Sequence, residues 1–180
     1  GNSLEANYNE VFYPAKKGSS EIIIGSQYLT DLAGCGLPQH AYPVKDQGWC
    51  IINPLGSLFE AYQFTDGTDF SYANPLYDKN NLGKNRDPRL DYTIYYTGAT
   101  FKGTTYNSHP DSESVDATQS GQTTQTGFMM RKYFDENYNG DLKTYGVNIP
   151  IIRYAEVLLS YLEAKMEAGE AITQDLLDET

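Results

Sequence analysis

Residues 149–169 read Ile-Pro-Ile-Ile-Arg-Tyr-Ala-Glu-Val-Leu-Leu-Ser-Tyr-Leu-Glu-Ala-Lys-Met-Glu-Ala-Gly. Few breakers interrupt the run from Ile149 to Ala168, and Gly169 stands where a glycine closes a helix, so a helix is predicted over 149–168. Ala155, Leu158, Leu159, Leu162 and Met166 form one apolar stripe; Tyr154, Val157 and Tyr161 form a second. A helix with two apolar faces packs on both sides, as in stacked helical hairpins. Thr173 reads as the N-cap of another helix beginning with Leu176 and Leu177. That helix has only about two turns before Thr180. So short a helix is unstable alone, which predicts either that the chain was cut there or that another polypeptide completes it.

Working back toward the N-terminus, Gly127 to Phe134 reads as a strand. Residues 107–126 are rich in Ser, Thr, Gln, Asp and Gly and predict a long loop, of the kind that is either functional or mobile. Tyr92, Ile94 and Tyr96 alternate with Thr93, Tyr95 and Thr97, which predicts a strand ended by Gly98, with Phe101 to Tyr106 returning as its hairpin partner. Asp87-Pro88 and Asn53-Pro54 each pair a capping side chain with a proline suited to the first helical position. After Asn53-Pro54, Leu55, Leu58, Phe59 and Tyr62 make one stripe, and Asp66-Gly67 is a turn. Residues 34–50 carry loop chemistry, Glu21 to Leu29 a strand, and residues 1–20 an irregular lead-in. Leu32-Ala33-Gly34-Cys35 imitates the end of a lipoprotein signal, but Glu21, Gln27 and Asp31 interrupt what would be its apolar region. These elements predict an α+β, loop-rich fold with few short strands.

The chain has 180 residues, with 13 Lys plus Arg against 24 Asp plus Glu, a formal charge of −11. Such acidity excludes nucleic acid as a partner, since phosphate binding needs clustered cations, and it excludes an anionic membrane surface. No run of eighteen apolar residues is present to span a bilayer. Cys35 and Cys50 are compatible with a bridge in an oxidising compartment and equally with two buried thiols.

Catalytic signatures are sparse. There is no G-x-S-x-G, C-x-x-C or H-E-x-x-H, and His40 and His109 lie in loops far apart in sequence. Nothing fixes a Cys50–His40 pair, and Cys35, Cys50 and the histidines lack zinc-ligand spacing. Asp135-x-Asn137-x-Asn139-Gly140 matches the first half of a calcium loop, but position twelve is Gly146 instead of a bidentate Glu, so it reads as an Asx-rich turn. Paired carboxylates would suggest a glycosidase, but Asp66 is accounted for as a turn residue and Asp87 as a cap. No catalytic residue, metal or cofactor is expected.

The segment from Tyr42 to Trp49 is more informative. Trp49 is the only tryptophan, and Tyr42, Asp46 and Gln47 stand near it. Flat aromatic faces accept the C–H side of a sugar while nearby polar groups bond its hydroxyls; the competing reading is that Trp49 packs over the following helix.

Several segments together resemble the SusD/RagB family of outer-membrane nutrient-binding lipoproteins. They are Glu21 to Tyr28; Asn53-Pro54 with Leu58-Phe59-Glu60-Ala61-Tyr62 and Asp66-Gly67; Asn85-Arg86-Asp87-Pro88-Arg89-Leu90; Gly127 to Tyr133; and Ile152 to Leu159 with Glu163-Ala164. The resemblance covers the middle-to-late part of the family's mainly α fold. It implies one incomplete domain over 1–180: a loop-rich part, 1–148, and a helical-repeat (TPR-like) portion, 149–180. It further implies a non-enzymatic protein on the outer membrane, facing the exterior. That protein captures an oligosaccharide or polysaccharide, or a peptide in some relatives, and passes it to a TonB-dependent porin. Its membrane attachment would be only through a lipid anchor outside this segment. Trp49, with Tyr42 and Asp46, would contact ligand. Arg86 and Arg89 would pin loops to backbone oxygens, and Arg153 would pair with Glu156.

Overall fold

The computed structural model describes residues 1–118, 121 and 123–179. The parts of the 107–126 loop at 119, 120 and 122, and the end at Thr180, lie outside the described residues. In chain order the elements are β1 (Ile22–Ser26), α1 (Leu37–Ala41), α2 (Gly56–Ala61), α3 (Arg89–Thr93), β2 (Ile94–Tyr95) and β3 (Thr100–Phe101). Then come β4 (Thr104–Thr105), β5 (Met129–Met130), β6 (Ile149–Arg153), α4 (Tyr154–Glu167) and α5 (Gln174–Glu179). Among the described residues four single 3-10 turns punctuate the loops. The expected mixture of short strands and helices within a loop-rich chain is what forms. The chain divides into two compact units, Gly1–Tyr28 with Val147–Thr180, and Leu29–Gly146.

In the first unit, the stretch predicted as one helix over 149–168 is two elements, β6 and α4. Ile149 to Arg153 is strand, because Pro150 cannot donate a helical hydrogen bond and the isoleucines on either side favour the pleat. It pairs antiparallel with β1, Ser26 opposite Ile149 and Ile22 opposite Arg153. Helix α4 then runs to Glu167 and closes as anticipated: Gly169 has φ +71°, its N–H donates to Met166 O, and Glu170 N–H donates to Lys165 O. Those two bonds satisfy carbonyls that a helix end otherwise leaves orphaned. Thr173 caps α5 as predicted, its Oγ accepting from Leu176 N–H at 3.3 Å. Only Leu158 of α4's two stripes is buried; Leu159, Tyr161 and Met166 are exposed.

Two corrections arise in this unit. Residues 1–20 are not merely a lead-in, since Val11 and Phe12, on a 3-10 turn, are buried. Arg153 pairs with Glu21 at 2.7 Å, not with Glu156, because the strand turns its side chain toward buried Glu21 and the faces of Tyr8 and Phe12.

The second unit holds an aromatic core of Tyr42, Phe59, Tyr95, Tyr96, Phe101, Tyr106 and Phe134, with Leu90, Ile94 and Met129. Buried tyrosines need partners for their hydroxyls. Tyr42 donates to Asp135 O at 3.3 Å, Tyr95 to Glu136 Oε1 at 2.6 Å, and Tyr145 Oη accepts from Asp135 N–H at 3.1 Å. One polar turn, Asp135 to Glu136, therefore gathers three rings. The predicted strand over 92–97 shrinks to β2, because the helix begun at Asp87-Pro88 continues to Thr93. The N-cap position of α3 is Pro88, and Asp87 just before it accepts from Arg89 N–H at 2.9 Å. β2 pairs with β5, while β3 and β4 form their own hairpin across Lys102-Gly103.

Asn53 does not cap α2, whose N-cap is Leu55. Its amide instead donates to Cys50 O at 3.0 Å and its oxygen accepts from Gln125 N–H at 2.9 Å, tying two loops together. Arg86 is pinned as expected, Nη2 donating to Phe59 O and Tyr62 O at the end of α2. Arg89 holds the Asp87 carboxylate.

Candidate functional site

The segment 34–50, read as loop, contains α1 and a 3-10 turn at Val44–Asp46. Pro38 sits in the first turn of α1, where its missing N–H costs nothing. Pro43 turns the chain out, and Gln47, at φ +67°, turns it back. Gly48 then passes against Tyr42 so closely that a Cβ would lie 2.2 Å from the Tyr42 carbonyl oxygen. The returning strand of loop bonds to α1: Trp49 N–H to Gln39 O at 2.8 Å, Cys50 N–H to Tyr42 O at 3.2 Å, and Ile51 N–H to His40 O at 2.6 Å. Asp116, 2% exposed, holds the far side through Val44 N–H, which donates to its Oδ1 at 3.1 Å. Burial raises the Asp116 carboxyl above the ordinary range.

This knot sets Trp49 edge-on against His40, with ring centroids 5.0 Å apart. The indole remains 47% exposed. It stands on the boundary of two clefts. One, about 830 Å³, is lined by Gln39, Lys45, Asp46, Gln47, Lys102 and residues 138–143 besides Trp49. The other, about 610 Å³, is lined by Cys50, Ile51, Asn53, Gly121, Thr123 and Gln125 besides Trp49. Both volumes suit a small ligand or a few units of a longer one.

The three expected site residues separate. Trp49 is exposed and Asp46 half-buried, and both line the larger cleft. Burial raises the Asp46 carboxyl, against the opposing pull of Lys102 and Lys45. Tyr42 corrects the expectation. It is 0% exposed, edge-on to Phe101 and Phe134, so its ring supports the loop from beneath and offers no face to a ligand.

Sequence reasoning missed the opposite wall. Lys102 lies on the β3–β4 hairpin turn, and its Nζ donates to Tyr138 O at 3.1 Å. Tyr138 and Asn139 come from the segment read as an Asx-rich turn, and Lys143 from the 3-10 turn Leu142–Thr144 that follows it. The Asx-rich turn forms: Asp135 Oδ1 accepts from Asn137 N–H at 2.9 Å and Asn139 donates to Asn137 O at 3.0 Å. The signal that could have found this wall is that same turn, a polar stretch carrying one tyrosine.

Among the described residues no group of three His, Cys, Asp or Glu side chains is gathered to hold a metal. Both cysteines are free thiols, Cys50 buried and Cys35 half-buried. No described helix is long and apolar enough to cross a membrane.

Comparison with known proteins adds to this geometry. The sequence model of the SusD family matches residues 5–178. A SusD-like carbohydrate-binding protein from Bacteroides fragilis is 51% identical, with a TM-score of 0.89 over 99% of this chain and 36% of that one. A second SusD-like protein from the same organism is 26% identical, with a TM-score of 0.73 over 95% of this chain and 38% of the other. Surface glycan-binding protein A from Bacteroides thetaiotaomicron shares the fold at 19% identity, with a TM-score of 0.60 over 98% of this chain and 38% of that protein. The chain thus spans little more than a third of the length of these solved relatives. No curated protein matches it.

Proposed function

The chain belongs to the SusD family, and on that premise we propose that it is a non-catalytic glycan-binding region of a bacterial cell-surface protein, with its ligand lying across Trp49. The carrying observation is a half-exposed indole held by backbone bonds on the boundary of two clefts. An aromatic face fixed in advance loses little conformational entropy on binding, and it accepts the apolar side of a sugar ring. Gln39, Asp46, Gln47 and Asn139 supply polar groups for hydroxyls. The relative at 51% identity is described as carbohydrate-binding, which supports the same ligand class here.

The remaining parts of the reading follow the family. The whole protein sits on the outer membrane facing the exterior, is attached by a lipid anchor outside this segment, and delivers glycan to a TonB-dependent transporter for nutrient uptake. Helices α4 and α5 belong to a stacked, TPR-like helical region, and Leu159, Tyr161 and Met166 on α4 present apolar surface for such stacking. A peptide-binding role is the alternative, and a glycoside hydrolase a more distant one.

Affinity electrophoresis through a panel of polysaccharides, with wild type and Trp49→Ala side by side, tests the proposal. Retardation by at least one glycan, lost or weakened in the variant, is expected. Sugars released on incubation with the same panel would overturn the non-catalytic reading, and equal retardation of the variant would remove Trp49 from the site.

A further inference from the structure

We propose that the glycan bound at Trp49 is an anionic one, carrying carboxylate or sulfate, and that its charged unit lies in the larger cleft facing Lys45, Lys102 and Lys143. This rests on the glycan-binding reading above and names its substrate class.

The chain as a whole carries an excess of eleven negative charges. The larger cleft reverses that balance, with three lysines on its walls against Asp46 and Asp141. None of the three lysines forms an ion pair among the described residues, whereas Lys16, Lys84, Arg89, Arg131, Arg153 and Lys165 do. Two of the three cations are also held in position. Lys45 Nζ donates to Thr104 Oγ at 2.8 Å and stands 6.0 Å from the Phe101 ring centre. Lys102 Nζ donates to Tyr138 O and stands 5.4 Å from the buried ring of Tyr42. Each ammonium has three donors, so one bond to the protein leaves others for a ligand oxygen.

The two carboxylates differ in standing. Asp141 is engaged locally, accepting from Lys143 N–H at 2.9 Å as the cap of its 3-10 turn. Asp46 faces the cleft and opposes an anion there. Across Trp49 the smaller cleft has no Lys, Arg, Asp or Glu among the described residues that line it. A saccharide crossing the indole would therefore meet cations on one side and neutral groups on the other. That is the recognition expected for an acidic unit next to a neutral one. Carboxylate and sulfate would be bound by the same ammonium groups.

The test is calorimetric titration of the 180-residue chain at low salt with three probes of equal length. They are an oligogalacturonide, a chondroitin sulfate oligosaccharide and a neutral malto-oligosaccharide. At least one anionic probe is expected to bind about tenfold more tightly than the neutral one, with the preference shrinking as salt rises. Lys143→Ala and Lys45→Ala, both at exposed lysines, should each reduce the anionic preference about two- to fivefold, the range of an exposed charge pair. Asp46→Asn should increase it by a similar factor, a gain that loss of structure cannot produce. Equal or tighter binding of the neutral probe overturns the inference and leaves the glycan reading standing. A fourth probe, an oligoglutamate peptide, is titrated alongside, and its binding in place of any saccharide overturns both.

Discussion

Gly48→Ala perturbs the element that presents Trp49 without touching Trp49 itself. The added Cβ would meet the Tyr42 carbonyl oxygen at 2.2 Å, the carbonyl carbon at 2.5 Å and Tyr42 Cβ at 2.5 Å. All three distances must open to at least 3.0 Å. None of these atoms is the far end of a flexible side chain, and Tyr42 is wedged between Phe101 and Phe134. Overpacking a closed site costs about 1–3 kcal/mol. For a chain of this size that lowers the melting temperature by roughly 3–10 °C. The displacement also pulls on the Trp49 N–H to Gln39 O bond, so the indole moves off His40. As Trp49 is the only tryptophan, its fluorescence reports that movement directly. Urea unfolding gives the stability, and iodide quenching of the native protein gives the indole's exposure. Gly18→Ala is the control, since no atom lies within 4 Å of its added Cβ. If the two variants share the same urea midpoint and the same quenching, the close-approach argument fails.

Three further outcomes follow from the same structure. Arg86→Met keeps much of the side chain's apolar bulk but removes both donors to the end of α2 and the contacts with Phe59, Phe64 and Phe70. It should cost about 2–4 kcal/mol in urea unfolding, and a loss below about 0.5 kcal/mol would contradict the account. Asp116 has a raised native carboxyl, so its contribution to stability is full below its ordinary value of 3.8 and is lost as pH rises through the raised one. Asp116→Asn keeps an acceptor for Val44 N–H and removes that loss, so the stability of the variant relative to wild type should grow from pH 3.8 toward neutrality; a difference flat in pH counts against it. The thiols should both titrate in denaturant. In the native state at pH 8 Cys50, pushed up to about 11 by burial, should react roughly a hundredfold more slowly than an exposed thiol. A denatured protein with no reactive thiol would refute the unbridged state.

The sequence was most informative where a local rule acts alone. Gly169 and Thr173 closed and opened helices as read, because capping depends on a few adjacent residues. The turn at Asp66-Gly67 formed for the same reason, Asp66 accepting from Thr68 N–H. Where two local rules competed, periodicity lost. Tyr92 alternates with Ile94 and Tyr96, yet the helix started at Asp87-Pro88 runs to Thr93 and leaves two strand residues. Ile149 to Arg153 could extend α4 by composition, but Pro150 and pairing with β1 keep it a strand. Trp49 was legible as a candidate since a lone tryptophan in a polar loop is unusual. The fate of Tyr42 was not, since burial depends on Phe101 and Phe134, far away in sequence. Lys102 and Lys143 were invisible for the same reason: the hairpin and the 3-10 turn that carry them meet Trp49 only after folding.

Titration of Trp49 fluorescence with the glycan that retards the protein most strongly tests the central claim most directly. The account predicts a saturable change in emission and protection of the indole from iodide, both with the dissociation constant found by calorimetry. Calorimetric binding of that glycan with emission and quenching unchanged would contradict it.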